Sequence, residues 1–226
     1  MKPAALPDDT PALREAAVAA VRKLDALGMN RGSTGNLSLR ATNGGDAGML
    51  ITPTGMGADE VRPQDLVWRG WGGTLRGAWQ PSSEWHFHQA VYLARPDLHA
   101  VVHAHSTHAA ALACLRRELP AFHYMVAVAG GDNVPCVPYH LFGTEALSVA
   151  VAGAFVDRQA CLMANHGLVA AGSTLGQAMK VTQEIEALCE VYLKALAVAE
   201  PALLSAAQMA EVLEKFRSYG QAARAG

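Results

Sequence analysis

Two histidines one residue apart, His103 and His105, stand in the run Val101-Val102-His103-Ala104-His105-Ser106, and a third, His166, follows Ala164-Asn165. Side chains of a β-strand alternate faces, so residues two apart point the same way and two imidazoles can chelate one ion. A third histidine from another segment completes a three-nitrogen set of the kind a catalytic zinc uses, with one position left for water, substrate or an acid. The flanking Leu98, Ala100, Val101, Val102 and Ala104 read as a buried strand. Two unpartnered imidazoles would be costly there, and a shared metal would satisfy both. Glu84 supplies the acid: a carboxylate beside a divalent ion can be a ligand at rest and a general base once substrate displaces it.

Glu84 closes Pro81-Ser82-Ser83-Glu84, a helix-start signal. The first backbone N–H groups of a helix are unpaired and its dipole is positive there, so two hydroxyls plus free amides make a phosphate cradle. The loops at Gly35-Asn36 and Thr54-Gly55 offer donors of the same kind. Neither a Walker stretch nor a G-x-G-x-x-G motif occurs, which argues against a nucleotide. His86 and His88 imitate the strand pair, but positions i and i+2 of a helix diverge by about 200°, so both are left out of the metal site.

These residues need elements to hold them. Pro11 to Leu27 carries apolar positions at helical spacing and stops at Gly28; Arg31 to Arg40 opens as a small-residue loop and turns into an alternating strand. Met49 to Thr52 is a short strand, and Leu66 to Trp79 resembles a hairpin. A helix over Trp85 to Ala94 precedes the His103 strand at Ala100 to His105, and another helix spans Thr107 to Leu115. A short aromatic strand is expected beyond Pro120, then a turn at Gly130 to Asn133, Cys136 to Tyr139, a helix over Thr144 to Phe155, and a strand at Cys161 to Ala164 delivering His166. Val169 to Ala171 continues it, and helices over Leu175 to Val198 and Ser205 to Arg217 precede a tail containing Tyr219. Neither repeat nor linker interrupts this order. The expectation is a single α/β domain over 1–226 with a central sheet between helices, residues 1–10 and 220–226 being flexible tails.

With 51% hydrophobic residues the chain can build a substantial core, and a net charge of −2 argues against a nucleic-acid partner. No run approaches the roughly 18 apolar residues of a membrane span, and Met1 to Asp9 lacks the apolar core of a signal peptide. Four separated cysteines, Cys114, Cys136, Cys161 and Cys189, read as buried thiols of a cytoplasmic protein. The expected partner is a small molecule.

Gly35-Asn36-Leu37-Ser38, Thr52-Pro53-Thr54-Gly55, Pro81-Ser82-Ser83-Glu84-Trp85, His103-Ala104-His105, Tyr124-Met125, Gly143-Thr144 and Asn165-His166-Gly167 together resemble the class II aldolase/adducin family. Within it the similarity is greatest to members cleaving L-fuculose 1-phosphate. The likeness covers essentially the whole chain. It implies an α/β domain with a mainly antiparallel sheet, assembled as a homotetramer with active sites between subunits. It also implies zinc on His103, His105 and His166, with Glu84 as resting fourth ligand and catalytic acid/base. Gly35, Asn36, Thr54, Gly55, Ser82 and Ser83 would hold the substrate phosphate. Tyr124, from the neighbouring subunit, would handle the aldehyde oxygen, and Tyr219 would help close the site. The implied reaction is reversible cleavage of a deoxyketose 1-phosphate to dihydroxyacetone phosphate and a short aldehyde such as lactaldehyde, through an enediolate.

Physical chemistry agrees with such roles, because cleaving C3–C4 leaves a carbanion far too basic to form unless its charge spreads onto an oxygen. Decarboxylases, epimerases and methylthioribulose-1-phosphate dehydratases of the family share the metal site, and adducin-like members lack catalysis. Ser83, where decarboxylase members tend to carry lysine, favours the aldolase. Trp68, Trp71, Trp79 and His140 depart from the family pattern and are placed on the aldehyde side, which leaves the sugar open.

Overall fold

A computed structural model describes residues 6–217. Helix α1 (Pro11–Ala26) starts behind Thr10, whose hydroxyl accepts the Leu13 N–H at 3.2 Å, with Pro11 where a missing N–H costs nothing. Two hairpins follow, β1 (Asn36–Asn43) with β2 (Asp46–Ile51) and β3 (Val67–Gly70) with β4 (Leu75–Arg76). Then come α2 (Trp85–Ala94), β5 (Ala100–Ala104), α3 (Thr107–Cys114), β6 (Cys136–Val137) and α4 (Glu145–Ala154). A third hairpin, β7 (Ala160–Met163) with β8 (Gly167–Gly172), leads to α5 (Leu175–Leu196) and α6 (Ala206–Arg217).

All eight strands join one sheet in the order β4-β3-β2-β1-β5-β8-β7-β6, and every neighbouring pair is antiparallel except β6 with β7. The expected α/β architecture with a mainly antiparallel sheet is therefore the one formed. Alternation gives each face its own core. Leu37, Leu39, Ala100 and Val102 pack against Ala17 and Leu24 of α1 and Ala178 of α5. On the opposite face Val101, Val169 and Ala171 meet Phe87, Val91 and Tyr92 of α2 and Val151 of α4. Burying such apolar surface contributes about 25 cal/mol per Å². Strand β5 lies mid-sheet, paired to β1 and β8, so residues at its end have fixed neighbours on both sides.

The face of β1 turned toward α2 is different. Asn36, Ser38 and Arg40 alternate with the leucines, and all three are buried. Arg40 donates to the carbonyls of Leu98, at 3.1 Å, and Tyr92.

Two expectations are corrected. The segment after Pro120 is no strand: Tyr124–Ala129 is a 3-10 helix, capped by His123, whose Nδ1 accepts the Met125 N–H at 3.2 Å, and stopped by Gly130 at φ 88°. Val126, Ala127 and Ala129 turn inward while Tyr124 stays exposed, a periodicity that so short an apolar run does not reveal. The tryptophans also lie elsewhere than expected within one chain. Trp68 is core, Trp71 packs near Tyr92, and the Trp79 indole N–H donates to Asp65 at 3.0 Å.

Candidate active site

His103 is the penultimate residue of β5, on the face shared with Val101, its ring edge-on to Phe87 with centroids 5.5 Å apart. His105 lies just beyond the strand, and its backbone N–H donates to Asn30 Oδ1 at 3.0 Å. His166 sits in the β7–β8 turn, which is tightened by its N–H donating to Met163 O at 3.0 Å and by Asn165 in the left-handed region at φ 56°. Asparagine tolerates that conformation better than most residues. Gly167 follows, and a Cβ there would come within 2.5 Å of the Ala104 carbonyl, so glycine lets β8 close tightly onto β5. Glu84 occupies the N-cap position of α2, one residue before its first turn rather than within it.

The ligand atoms of Glu84, His103, His105 and His166 all lie within 4.8 Å of one another. His103 Nε2 is 2.9 Å from His105 Nε2 and 3.2 Å from Glu84 Oε2, while His166 Nε2 is 3.2 Å from Glu84 Oε1. His103 Nδ1 is 2.9 Å from the Leu168 carbonyl, an acceptor only, so this nitrogen carries a proton and Nε2 faces the cluster. Glu84 Oε1 is buried and makes no well-directed hydrogen bond. Three imidazoles converging on a carboxylate fit a divalent cation, and this donor set suits zinc. Burial pushes the Glu84 carboxyl up, but His103 and His166 outweigh it and hold it well below the usual carboxylate range. Burial and the same two imidazoles lower His105 to about 4. His86 and His88 lie outside the cluster.

Beside the cluster opens a cavity of about 200 Å³ lined by Gly35, Asn36, Thr54, Gly55, Ser82 and Ser83 together with Glu84, His105 and His166. Hydrogen bonds from backbone N–H groups tie its three loops. Ser82 N–H donates to Thr52 O at 2.9 Å, Thr54 N–H to Gln80 O at 3.1 Å, and Leu37 N–H to the Thr52 hydroxyl at 3.2 Å. Gly35, at φ 72°, leaves room for the Asn30 side chain, which a Cβ would strike at 2.3 Å.

Tyr124 does not line this cavity; it is half exposed and borders a separate apolar one with Leu204, Val212 and Phe216. Tyr219 lies outside the described residues. None of Trp68, Trp71, Trp79 and His140 lines the cavity, whereas Phe142 does. Sequence reasoning passed over Phe142, although it directly precedes the Gly143-Thr144 motif, and assigned no role to Asn30.

Residues 15–193 match the family model described as Class II Aldolase and Adducin N-terminal domain. The chain is 47% identical over 219 residues to the 5-methylthioribulose-1-phosphate/5-deoxyribulose-1-phosphate aldolase of Rhodospirillum rubrum, covering 97% of each. To the L-fuculose phosphate aldolase of Escherichia coli K12 it is 44% identical over 199 residues, 88% of this chain and 91% of that one. A solved L-fuculose 1-phosphate aldolase superposes with a TM-score of 0.87 at 36% identity, covering 92% of this chain and 97% of that structure. The chain belongs to the class II aldolase family.

Proposed function

We propose that the protein is a zinc-dependent aldolase that reversibly cleaves a deoxyketose 1-phosphate into dihydroxyacetone phosphate and a short aldehyde. The observation that carries this reading is the convergence of Glu84, His103, His105 and His166 at the wall of a cavity whose other walls are hydroxyls, glycines and an amide. Glu84, His103, His105 and His166 would hold a divalent cation, which would supply the Lewis acidity that cleavage to a carbanion needs. Ser82, Ser83, Thr54, Asn36 and the backbone at Gly35 and Gly55 bind the phosphate. Glu84 moves the proton at C3 of the dihydroxyacetone phosphate half. Tyr124 gives or takes the proton on the aldehyde oxygen. Its distance from the cavity of its own chain supports a homotetramer in which a neighbouring subunit supplies it. The free thiols support a cytoplasmic setting.

Relatives named for methylthioribulose, deoxyribulose and fuculose phosphates support a substrate among ketose 1-phosphates with an unphosphorylated far end. The test is purified, zinc-loaded enzyme incubated with 5-deoxyribulose 1-phosphate, 5-methylthioribulose 1-phosphate and L-fuculose 1-phosphate, with dihydroxyacetone phosphate measured by coupled reduction. Release from at least one is expected, lost on chelation and restored by zinc. Turnover that yields water or carbon dioxide and no dihydroxyacetone phosphate would replace the aldolase with another reaction of the family.

A further inference from the structure

Glu84 is held from behind by a chain of buried side chains that the metal chemistry does not use. Asn36 Nδ2 lies 2.9 Å from Glu84 Oε2, and Asn36 Oδ1 lies 2.5 Å from His88 Nε2. His88 Nδ1 is 2.7 Å from Ser38 Oγ, which is 2.9 Å from the Tyr92 hydroxyl. The proton positions follow by elimination. A carboxylate accepts only, so Asn36 turns its NH2 toward Glu84 and its carbonyl toward His88. That carbonyl also accepts only, so His88 Nε2 carries the proton. His88 is fully enclosed, and burial, reinforced by His103, lowers it to about 3, so the ring is neutral and Nδ1 is a lone pair. Ser38 therefore donates to Nδ1, and the single Tyr92 hydroxyl proton lies between the Ser38 carbonyl and Ser38 Oγ, each 2.9 Å away. From Ser38 inward, every donor points toward Glu84.

We propose that Tyr92, Ser38, His88 and Asn36 form a positioning relay that anchors Glu84 Oε2 and reserves Oε1 for proton transfer. The two carboxylate oxygens are thereby made unequal: Oε2 is tied to Asn36, whereas Oε1 has no such tether and faces only the His166 imidazole of the cluster, 3.2 Å away. His88 is the decisive member. Its tautomer forbids the flipped Asn36 amide, which would set one carbonyl against the carboxylate and the NH2 against an imidazole N–H. His88 touches neither metal site nor cavity, so it acts through Asn36 alone.

The inference rests on Glu84 being the base of the proposed aldolase, and its test separates the two claims. In metal-free parent protein, long-range 1H–15N correlation should show His88 protonated at Nε2 across neutral pH, with slowly exchanging Asn36 side-chain amide protons. An Nδ1-protonated His88 overturns the relay, whatever the enzyme acts on. His88→Phe fills the same space without a donor, whereas the amide of His88→Gln can still donate to Asn36. In the zinc-loaded enzyme, His88→Phe should lower kcat about 10- to 100-fold at nearly unchanged KM and zinc content, and His88→Gln should recover most of it. Parent-like kcat in His88→Phe, or equal loss in both variants, overturns the positioning role. If the parent itself releases no dihydroxyacetone phosphate, the function assigned above fails while the resonance measurement still decides the relay.

Discussion

Two of the helices that cover the sheet, α5 and α2, do so with equally buried but opposite seams. Under α5, Val181, Ile185 and Leu188 meet Leu168 and Ala170 of β8, and nothing in that contact has a direction. Under α2, Asn36, Ser38 and Arg40 of β1 meet His88, Tyr92 and the Leu98 carbonyl through directed hydrogen bonds. Apolar burial holds strands and helices together but leaves their side chains free to repack. A saturated hydrogen-bond network fixes which way each group faces, at the risk of a large loss if one member is removed. The first seam keeps the sheet assembled. The second aims a carboxylate.

That contrast can be broken most severely at its functional end. Glu84→Gln should fold and retain metal but lose exchange of the C3 proton of dihydroxyacetone phosphate by about 10²–10⁴-fold. Parent-rate exchange with solvent, followed by NMR, would give the base role to another residue. Next in size, Ser38→Ala leaves His88 Nδ1 without a partner inside the polar seam, while the Tyr92 hydroxyl keeps the backbone carbonyl at position 38. A cost of about 1–3 kcal/mol in urea unfolding is expected, together with a lowered kcat, because the relay loses its middle.

A pH series sharpens the comparison further. The His88 pKa is depressed in the folded state, from 6.5 to about 3, so the unfolded chain binds the extra proton first. Stability contributed by neutral His88 is present above about 6.5 and falls as pH drops through this window, by up to about 1.4 kcal/mol per pH unit. His88→Gln should flatten that slope in denaturant titrations between pH 6.5 and 4; an unchanged slope would assign it to other groups. The smallest effect belongs to the apolar seam. Ile185→Val should cost about 1 kcal/mol and leave kcat untouched, whereas a kcat loss would show that both seams transmit to the site.

Much of the site could be read from the sequence because strand geometry is simple. His103-Ala104-His105 and the later Asn165-His166-Gly167 come together as the two-residue repeat and a hairpin turn require. The six residues expected to hold a phosphate line one cavity, as small residues and loop amides near a helix start would lead one to expect. His88 shows what spacing misses. Its helical offset from His86 correctly separates it from the metal group, yet its partners Asn36 and Ser38 lie 52 and 50 residues away, and only the pairing of β1 with β5 brings them beneath α2. The 3-10 helix at Tyr124–Ala129 was hidden because strand and helix share an apolar signature over six residues. The tryptophans were misplaced because an aromatic cluster fills a core as readily as it lines a pocket.

The register of β1 against β5, with Asn36 opposite His103, also limits how this chain can change length. Strand side chains repeat every two residues, so one residue inserted or deleted within β1 would carry Leu37 and Leu39 under α2 and drive Asn36 and Ser38 in among Leu24 and Val102. A two-residue change would restore the faces yet move the amide about 7 Å along the strand, out of reach of Glu84. Insertions or deletions are therefore expected to be tolerated only beside β1, in the Gly44-Gly45 turn and the exposed 31–34 loop. An aligned gap inside β1 of a relative would mark a protein that has given up this carboxylate's alignment while its three histidines still look intact.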